Sequence, residues 1–242
     1  MSEAVSVGGR RRRAVDLLRC THPKQALFFA AVVGLLAAID GRPAREFCSA
    51  GAAVLAVQLS LGIDNDLADA KHDYRAETAS KPIALGRIDG STATYWMLVL
   101  ILLAVPLSMQ NGAVAGAALL VSQPIGWLHN HVLHRTVLSF VGWAATFALI
   151  PAFLAYGGWA GGMHGSAPTW AVCVAAALAG IAVHFVTTLG DLVDDNKSGA
   201  RNLPLRIAMR IGAPRLLLVT LALVAATGAG LVAAVAAVGL RQ

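Results

Sequence analysis

The chain has 242 residues, of which 57% are hydrophobic and 13% are charged, and it carries a formal net charge of +6. Soluble domains contain roughly 45–50% apolar and about 25% charged residues. This composition therefore excludes an ordinary soluble globular protein and indicates an integral membrane protein. The three cysteines, Cys20, Cys48 and Cys173, are too widely spaced for a disulfide framework or a zinc motif.

The N-terminal segment is basic and contains the run Arg10 to Arg13. We expect residues 1–20 to be a disordered cytoplasmic tail and residues 21–242 to form one transmembrane domain. Basic residues beside a membrane are attracted to anionic lipid headgroups, and no nucleic-acid motif accompanies them. The charge therefore predicts membrane lipid as a partner and no nucleic acid. A signal peptide is the alternative for this end, but no separate soluble domain follows for export.

Several apolar stretches approach the length of about 20 residues, with a range of roughly 17–25, that a helix needs to cross a bilayer. They predict an all-α membrane protein with Gly228 and Gly230 kinking or dividing the last helix. The helices are expected near residues 25–41, 44–63, 92–108, 112–128, 136–156, 168–190 and 214–239. Because Lys and Arg favour cytoplasmic loops, segments 64–91, 129–135 and 191–213 are expected on the cytoplasmic side.

Carboxylates are concentrated in two places. Nine of the thirteen acidic residues lie within residues 64–89 and 191–195, and residues 90–190 contain no Asp or Glu. Such clusters are often only the solvated ends of membrane spans. Here the acids repeat at helical spacing in both clusters, and residues 62–73 are expected to continue the second helix. A buried charge in that position is costly and by default functional, so both clusters are interpreted as parts of a site.

The first cluster presents oxygen ligands on one helical face. Residues three, four and seven apart share a face, so Asp66, Asp69 and Asp73 line up, and Asn65 lies four residues before Asp69. Such ligands suit Mg²⁺, which is held by one or two carboxylates together with substrate phosphates. The spacing predicts a magnesium site.

The second cluster repeats this spacing, with Asp191 and Asp195 four residues apart and Asp194 between them. Two facing carboxylate surfaces would hold a diphosphate through bridging Mg²⁺ ions. Basic side chains bind phosphate oxygens directly, and those near the clusters are Lys81, Arg87, Lys197 and Arg201.

Both segments resemble the motifs of the UbiA superfamily of intramembrane prenyltransferases. The first motif is similar to Asn65-Asp66-x-x-Asp69-x-x-x-Asp73 followed by Lys81-Pro82-Ile83-x-x-Gly86-x-Ile88. The second motif is similar to Asp191-x-x-x-Asp195-x-x-x-Gly199-x-Arg201-x-Leu203-Pro204-Leu205. In the first, Lys81 stands where the family usually has Arg.

The resemblance implies a UbiA-like bundle of about seven to nine transmembrane helices around a central cavity. It also implies Mg²⁺-dependent transfer of an isoprenoid chain from a prenyl diphosphate to a small aromatic or other lipophilic acceptor. Catalytic roles fall on Asp66, Asp69, Asp191 and Asp195. The implied metal ligands are these four together with Asn65 and Asp73, and the implied diphosphate contacts are Asn65, Lys81, Lys197, Arg201 and His134.

One segment departs from the family pattern. Many relatives have a Tyr-x-x-x-Lys-Arg-Thr-like segment before the fifth helix, whereas this chain has Asn130 in place of the tyrosine and His134 in place of the lysine. The acceptor is therefore left open. A terpene cyclase, which ionises a prenyl diphosphate and cyclises it without an acceptor, is the alternative within the superfamily.

Other functions fit less well. An ion or solute transporter would leave the Lys-Pro and Leu-Pro segments unexplained, and a CDP-alcohol phosphotransferase requires a D-G-x-x-A-R string that is absent. His129, His131 and His134 do not share one helical face, so they predict no zinc site. The aromatic residues of the helices, Trp143 and Phe147 among them, are interpreted mainly as packing or lipid-facing residues.

Overall fold

The structure, a computed structural model, describes residues 2–75, 81–159 and 167–238. Within these ranges all regular secondary structure is helical. The helices are α1 (Ser2–Cys20), α2 (Pro23–Ile39), α3 (Ala44–Arg75), α4 (Gly90–Met109), α5 (Ala113–Leu128), α6 (Ser139–Ala155), α7 (Trp170–Leu189), α8 (Leu192–Lys197), α9 (Leu203–Ile211) and α10 (Ala213–Val238). A single π-helical turn, His129–Leu133, joins α5 to the segment before α6.

The seven predicted apolar helices are confirmed as α2 to α7 and α10. Among the described residues, α3, α4, α7 and α10 are each long and apolar enough to cross a membrane, and α1 with α2 makes a fifth span if this bent pair counts as one. The α5 and α6 helices have 16 and 17 residues, slightly fewer than the about 20 that a perpendicular span needs. The last helix, α10, runs through Gly228 and Gly230 without being divided.

The N-terminal segment differs from the expected disordered tail, because α1 occupies Ser2–Cys20. The end of this helix is tied to the bundle. Asp16 and Cys20 are buried, and the Asp16 carboxylate accepts hydrogen bonds from Arg19 and Arg87 at 3.4 and 3.5 Å. After Cys20 the chain turns through His22, which has a left-handed φ of 48°, so α1 and α2 are bent by 57°.

The bundle core is built mainly from small side chains, which let helices approach closely in a membrane protein. Helices that follow one another in the chain pack together, and α2 contacts α6 across the bundle. At Gly62 of α3 an added Cβ would lie 2.5 Å from the carbonyl oxygen of Thr21. Only glycine therefore permits α3 to pass the α1–α2 junction this closely.

The connections that carry the acid clusters lie at one end of the bundle. The α3 helix continues past its apolar part to Arg75, as the sequence predicted. The first acid cluster therefore lies on the last turns of α3, at the end of the bundle. The backbone N–H of Arg201 donates to the carbonyl of Arg135 at 2.9 Å. Asn202 caps α9 by accepting from the N–H of Leu205 at 2.9 Å. The segments around residues 70, 134 and 200 are thus held around one opening.

Candidate active site

A cavity of about 460 Å³ lies between α2, α3, α5, α6 and α7 at the end of the bundle that carries the acids. Both acid clusters contribute to its wall. The polar wall consists largely of residues from the helix ends and connections, namely Asn65, Asp69, Asp73, Lys81, His134, Arg135, Asp191, Asp194, Asp195, Ser198 and Asn202. The structure therefore brings the two separate sequence clusters to one site.

On α3, the face toward the cavity carries Asn65, Asp69 and Asp73. Their spacing of four residues keeps them on one side of the helix. Asp66, the neighbour of Asn65, points elsewhere and is only 2% exposed. The predicted grouping of Asp66 with Asp69 and Asp73 is therefore divided between the cavity and a buried contact beside it.

Asp66 is held by two basic side chains from other segments. Lys81 Nζ lies 2.5 Å from Asp66 Oδ1, and His22 Nε2 lies 2.9 Å from the same oxygen. Burial by itself would lower the pKa of Lys81, but the Asp66 carboxylate, followed by Asp73, raises the pKa above its ordinary value. Lys81 is therefore protonated and supplies a positive charge at the cavity wall.

Asp73 has a different environment. Burial raises the pKa of its carboxyl to about 6, repulsion from Asp69 and Asp66 adds to the rise, and Lys81, whose Nζ is 3.8 Å away, opposes it. Its Oδ2 is buried and has no hydrogen-bond partner. A buried carboxylate oxygen without a donor is costly, so a cation or a proton at this position would stabilise it.

The second cluster faces the same space. Burial raises the pKa of Asp191, and the charges of Asp194 and Asp69 raise it further while Lys81 opposes them. Burial and the Asp191 charge likewise raise the pKa of Asp195, although Asn202 donates a hydrogen bond to its Oδ2 at 2.6 Å. The two clusters therefore repel each other across the cavity, and a cation between them would relieve this repulsion.

The π-helical turn supplies the third side of the polar wall. His134 Nε2 lies 3.0 Å from Asp69 Oδ1, and the Arg135 guanidinium donates to the carbonyl of Ser198 at 2.7 Å. Such π-helical turns often occur at functional sites because they redirect side chains. Here the turn places an imidazole and a guanidinium beside the first acid cluster.

The same turn is fixed by an acid that lies outside the recognised motif. Asp64 is 5% exposed, and it contacts Asn130 Nδ2 at 2.8 Å and His131 Nε2 at 3.0 Å. Asn130 lines the cavity at the position where many relatives have tyrosine. The departure at residue 130 thus puts a buried amide into the wall, held by an α3 carboxylate.

Two predicted diphosphate contacts are not at the cavity wall. Lys197 is largely exposed and lies 3.7 Å from Asp194, and Arg201 is exposed. Sequence reasoning instead missed His22 and Arg135, which line the cavity. Arg135 had a signal, since it stands in the segment that aligns with the Lys-Arg-Thr of relatives. His22 had none, because it belongs to neither acid cluster.

Farther along the helices the wall becomes aromatic. Phe29 of α2 packs against Phe147 and Trp143 of α6, with ring centroids 5.7 and 6.2 Å apart, and all three line the cavity. The imidazoles of His129 and His184 lie beside Trp143, each with a centroid distance of 6.1 Å. The cavity thus joins a charged opening to an aromatic interior.

The donor set fits Mg²⁺ better than a metal that needs a complete protein cage. Within the described ranges, no three His, Cys, Asp or Glu side chains are arranged as a metal site. Mg²⁺ needs no such cage, because it keeps several waters and shares substrate phosphates. Carboxylates from both clusters and the unpartnered Asp73 Oδ2 provide the hard oxygen ligands that such binding requires.

In the described part of the chain these features define a class: a helical integral membrane protein with a cavity that is lined by acidic and basic side chains at its mouth and by aromatic side chains inside. The sequence profile of the UbiA prenyltransferase family matches residues 26–241. The chain belongs to this family, which confirms the resemblance of its two aspartate motifs.

Solved structures share the fold. A UbiA homolog from Archaeoglobus fulgidus bound to GPP and Mg²⁺ is 17% identical with a TM-score of 0.60, and the match covers 93% of this chain and 75% of that chain. A UbiA homolog from Archaeoglobus fulgidus bound to DMAPP and Mg²⁺ is 18% identical with a TM-score of 0.56, and the match covers 90% of this chain and 73% of that chain.

A structure of digeranylgeranylglyceryl phosphate synthase is 18% identical with a TM-score of 0.59, and the match covers 88% of this chain and 76% of that chain. No curated protein sequence matches the chain. At these identities the structural likeness concerns the fold, which is the predicted UbiA-like helical bundle.

Proposed function

We propose that the protein is a Mg²⁺-dependent intramembrane prenyltransferase that moves an isoprenoid chain from its diphosphate to a small lipophilic acceptor. The observation that carries this proposal is the cavity itself. Carboxylates and basic side chains lie together at its mouth, and its interior is lined by Phe29, Trp143 and Phe147. An amphiphilic substrate with a charged head and an apolar tail matches such a pocket.

The carboxylates that line the cavity are the proposed metal ligands. Asp69 and Asp73 would act from α3, Asp191 and Asp195 from the second cluster, and Asn65 would add an amide oxygen. Bound Mg²⁺ would supply Lewis-acid neutralisation of the charge that develops on the departing diphosphate. A UbiA homolog from Archaeoglobus fulgidus is bound to GPP and Mg²⁺, which supports the use of a prenyl diphosphate together with Mg²⁺.

The basic residues of the wall would hold the diphosphate directly. Lys81 is half-buried and faces Asp73 as well as Asp66, His134 contacts Asp69, and Arg135 lines the same cavity. Positive charges fixed near phosphate oxygens stabilise the leaving group most when water is excluded. Asp66 positions Lys81 and His22 in this scheme, since it is buried behind the wall.

The aromatic interior would receive the prenyl chain. Cleavage of the allylic C–O bond leaves an electron-poor carbon, and the faces of Trp143, Phe147 and Phe29 present negative charge density to cations. These rings are also apolar, so they exclude water, which would otherwise capture the carbon. An acceptor entering this region would form the new bond and release a proton.

We further propose that the site faces the cytoplasm, as the loop charges predict. Described basic residues at the bundle end with the cavity include Arg19, Lys81, Arg87 and Arg135. Basic residues in short loops favour the cytoplasmic side.

The decisive experiment is product identification with purified protein. Geranyl, farnesyl and geranylgeranyl diphosphates are incubated with Mg²⁺, with and without a panel of aromatic and other lipophilic acceptors, and the products are identified by mass. An alkylated acceptor is the expected result. A cyclised hydrocarbon or alcohol formed without acceptor would establish the terpene cyclase instead. Absence of any diphosphate release would overturn both assignments and would favour the ion or solute transporter.

A further inference from the structure

A second cavity, separate from the acid-lined one, lies at the surface between α1 and the turn that follows Lys81. Its volume is about 370 Å³, and it is lined by Arg11, Arg12, Val15, Asp16, Arg19 and Arg87. Among these lining residues four guanidinium groups surround one carboxylate. The arginines among the lining residues outnumber the carboxylate, so this surface attracts anions.

The one carboxylate is already engaged. Asp16 is 4% exposed, and its Oδ1 lies 3.4 Å from Arg19 and 3.5 Å from Arg87. It therefore anchors the two guanidinium groups without matching the charge of Arg11 and Arg12. Arginines present planar N–H donors that suit phosphate oxygens, so the cavity has the chemistry of a phosphate site.

The surroundings favour a phosphate that belongs to a lipid. Val15 lines the cavity and is 43% exposed, and Leu18 on the same helix is 55% exposed. The α1 helix bends by 57° from α2, whose exposed side chains are mostly apolar: Leu27, Phe28, Val32, Leu35 and Ile39. A helix that carries arginines and exposed apolar residues at the end of a membrane span is typical of the headgroup region.

We propose that Arg11, Arg12, Arg19 and Arg87 form a binding site for the phosphate of an anionic phospholipid headgroup. The bound lipid would join α1 to the turn at residues 81–88. In this turn the backbone N–H of Arg87 donates to the carbonyl of Pro82 at 2.9 Å, and Arg87 itself lines the cavity. Both segments lead to the acid-lined cavity, α1 through His22 and the turn through Lys81. The lipid would thus brace the two segments that hold Asp66.

The test measures lipid association and needs no prenyl diphosphate, so its outcome is independent of the proposed enzymatic function. The full chain is reconstituted in phosphatidylcholine vesicles, and spin-labelled phosphatidylglycerol is compared with spin-labelled phosphatidylcholine for the fraction immobilised by the protein. We expect phosphatidylglycerol to be preferred, with the preference falling as NaCl rises.

Arg12→Gln/Arg87→Gln is compared with Arg206→Gln/Arg210→Gln, which removes two exposed arginines of α9 and the same net charge. Each pocket arginine should contribute about a fivefold preference, from about 1 kcal/mol per basic residue. The pocket pair should therefore lose most of the preference and the α9 pair little. Equal loss in both variants, or no salt-sensitive preference in the unmodified protein, would overturn the proposal.

A further arm separates lipid from free phosphate. Sodium phosphate is added against NaCl at equal ionic strength. Because the same guanidinium groups bind either phosphate, sodium phosphate should reduce the lipid preference more than NaCl does. An equal reduction by both salts would show attraction by net charge alone and would overturn the site. A protein that added phosphate stabilises against unfolding in detergent, but that shows no phosphatidylglycerol preference, binds a soluble anion, and the lipid assignment is then wrong.

Discussion

Lys81 Nζ lies 2.5 Å from Asp66 Oδ1, and this ion pair joins the turn after α3 to the helix itself. The Asp66 side chain is almost wholly buried, with 2% exposure, and the Lys81 side chain is 19% exposed. Lys81 also approaches Asp73 at 3.8 Å. One residue therefore neutralises a buried acid and also presents charge to the cavity.

Lys81→Met should destabilise the protein. It leaves the Asp66 carboxylate with His22 as its remaining basic partner, and an uncompensated buried charge typically costs about 3–5 kcal/mol. Because His22 remains, we expect a loss of about 2–3 kcal/mol, measured as the shift of the unfolding transition in detergent. Asp66→Asn/Lys81→Met should recover part of this loss. A single variant as stable as the unmodified protein would show that the pair has no structural role.

Asp191→Ala should reduce diphosphate release from a prenyl diphosphate by at least about 100-fold, the magnitude typical for loss of a main electrostatic contact in an active site. Asp194→Ala is the matched control. Its side chain also lines the cavity, but it is 56% exposed and lies 3.7 Å from Lys197, and it is not among the proposed metal ligands, so its removal should have a smaller effect than that of Asp191. The measurement is diphosphate release at saturating Mg²⁺. A normal rate of diphosphate release in Asp191→Ala would contradict the proposed role of the second cluster.

The requirement for Mg²⁺ should depend on pH through Asp73. Burial raises the pKa of this carboxyl to about 6, so protons compete with the metal below that pH, and the charged form dominates above it. The Mg²⁺ concentration for half-maximal activity should therefore fall as pH rises through about 6.

Asp73→Asn provides the comparison, since the amide does not titrate. It should need more Mg²⁺ at neutral pH and should show a weaker pH dependence near 6. If Asp73→Asn keeps the full dependence of the unmodified protein, the titrating group is another residue. Removal of Mg²⁺ by EDTA should stop diphosphate release in both proteins.

Gly62→Ala should destabilise the bundle. The added methyl carbon would meet the Thr21 carbonyl oxygen at 2.5 Å, and a backbone contact this close must be relieved by separating α3 from the α1–α2 junction. Overpacking of this kind typically costs about 1–3 kcal/mol.

Gly228→Ala is the control within the same chain. Gly228 lies in α10 with nothing within 4 Å of an added Cβ, so alanine should raise helix stability by about 0.5–1 kcal/mol. Thermal unfolding of both variants in the same detergent checks the pair. If the two variants unfold at the same temperature, the close approach of α3 to Thr21 at Gly62 is contradicted.

Much of the fold was predictable because it rests on local properties. The apolar runs specified the seven long apolar helices, and the polar end of α3 was expected to remain helical past residue 63, which the structure confirms. The helix at Ser2–Cys20 was missed. Its sequence is polar and contains glycines, and the burial of Asp16 and Cys20 that anchors it arises only when α1 packs against the bundle.

The site was predictable in part for the same reason. Helical periodicity correctly indicated that Asn65, Asp69 and Asp73 share a side of α3, because that relation depends on one helix alone. It could not show that Asp66 turns toward His22, 44 residues earlier in the chain. Lys197 and Arg201 were close to the second cluster in sequence, yet short helix α8 and the cap of α9 direct the chain so that neither lines the cavity.

The sequence by itself determined a membrane-embedded helical protein with two aspartate motifs and the family to which they belong, because hydropathy and helical spacing are properties of neighbouring residues. Tertiary structure alone decided that the two motifs share one cavity, that Asp66 is paired with Lys81 behind its wall, and that Phe29, Trp143 and Phe147 form its interior. These relations join residues far apart in the chain, and they exist only because helix packing brings separate segments within contact distance.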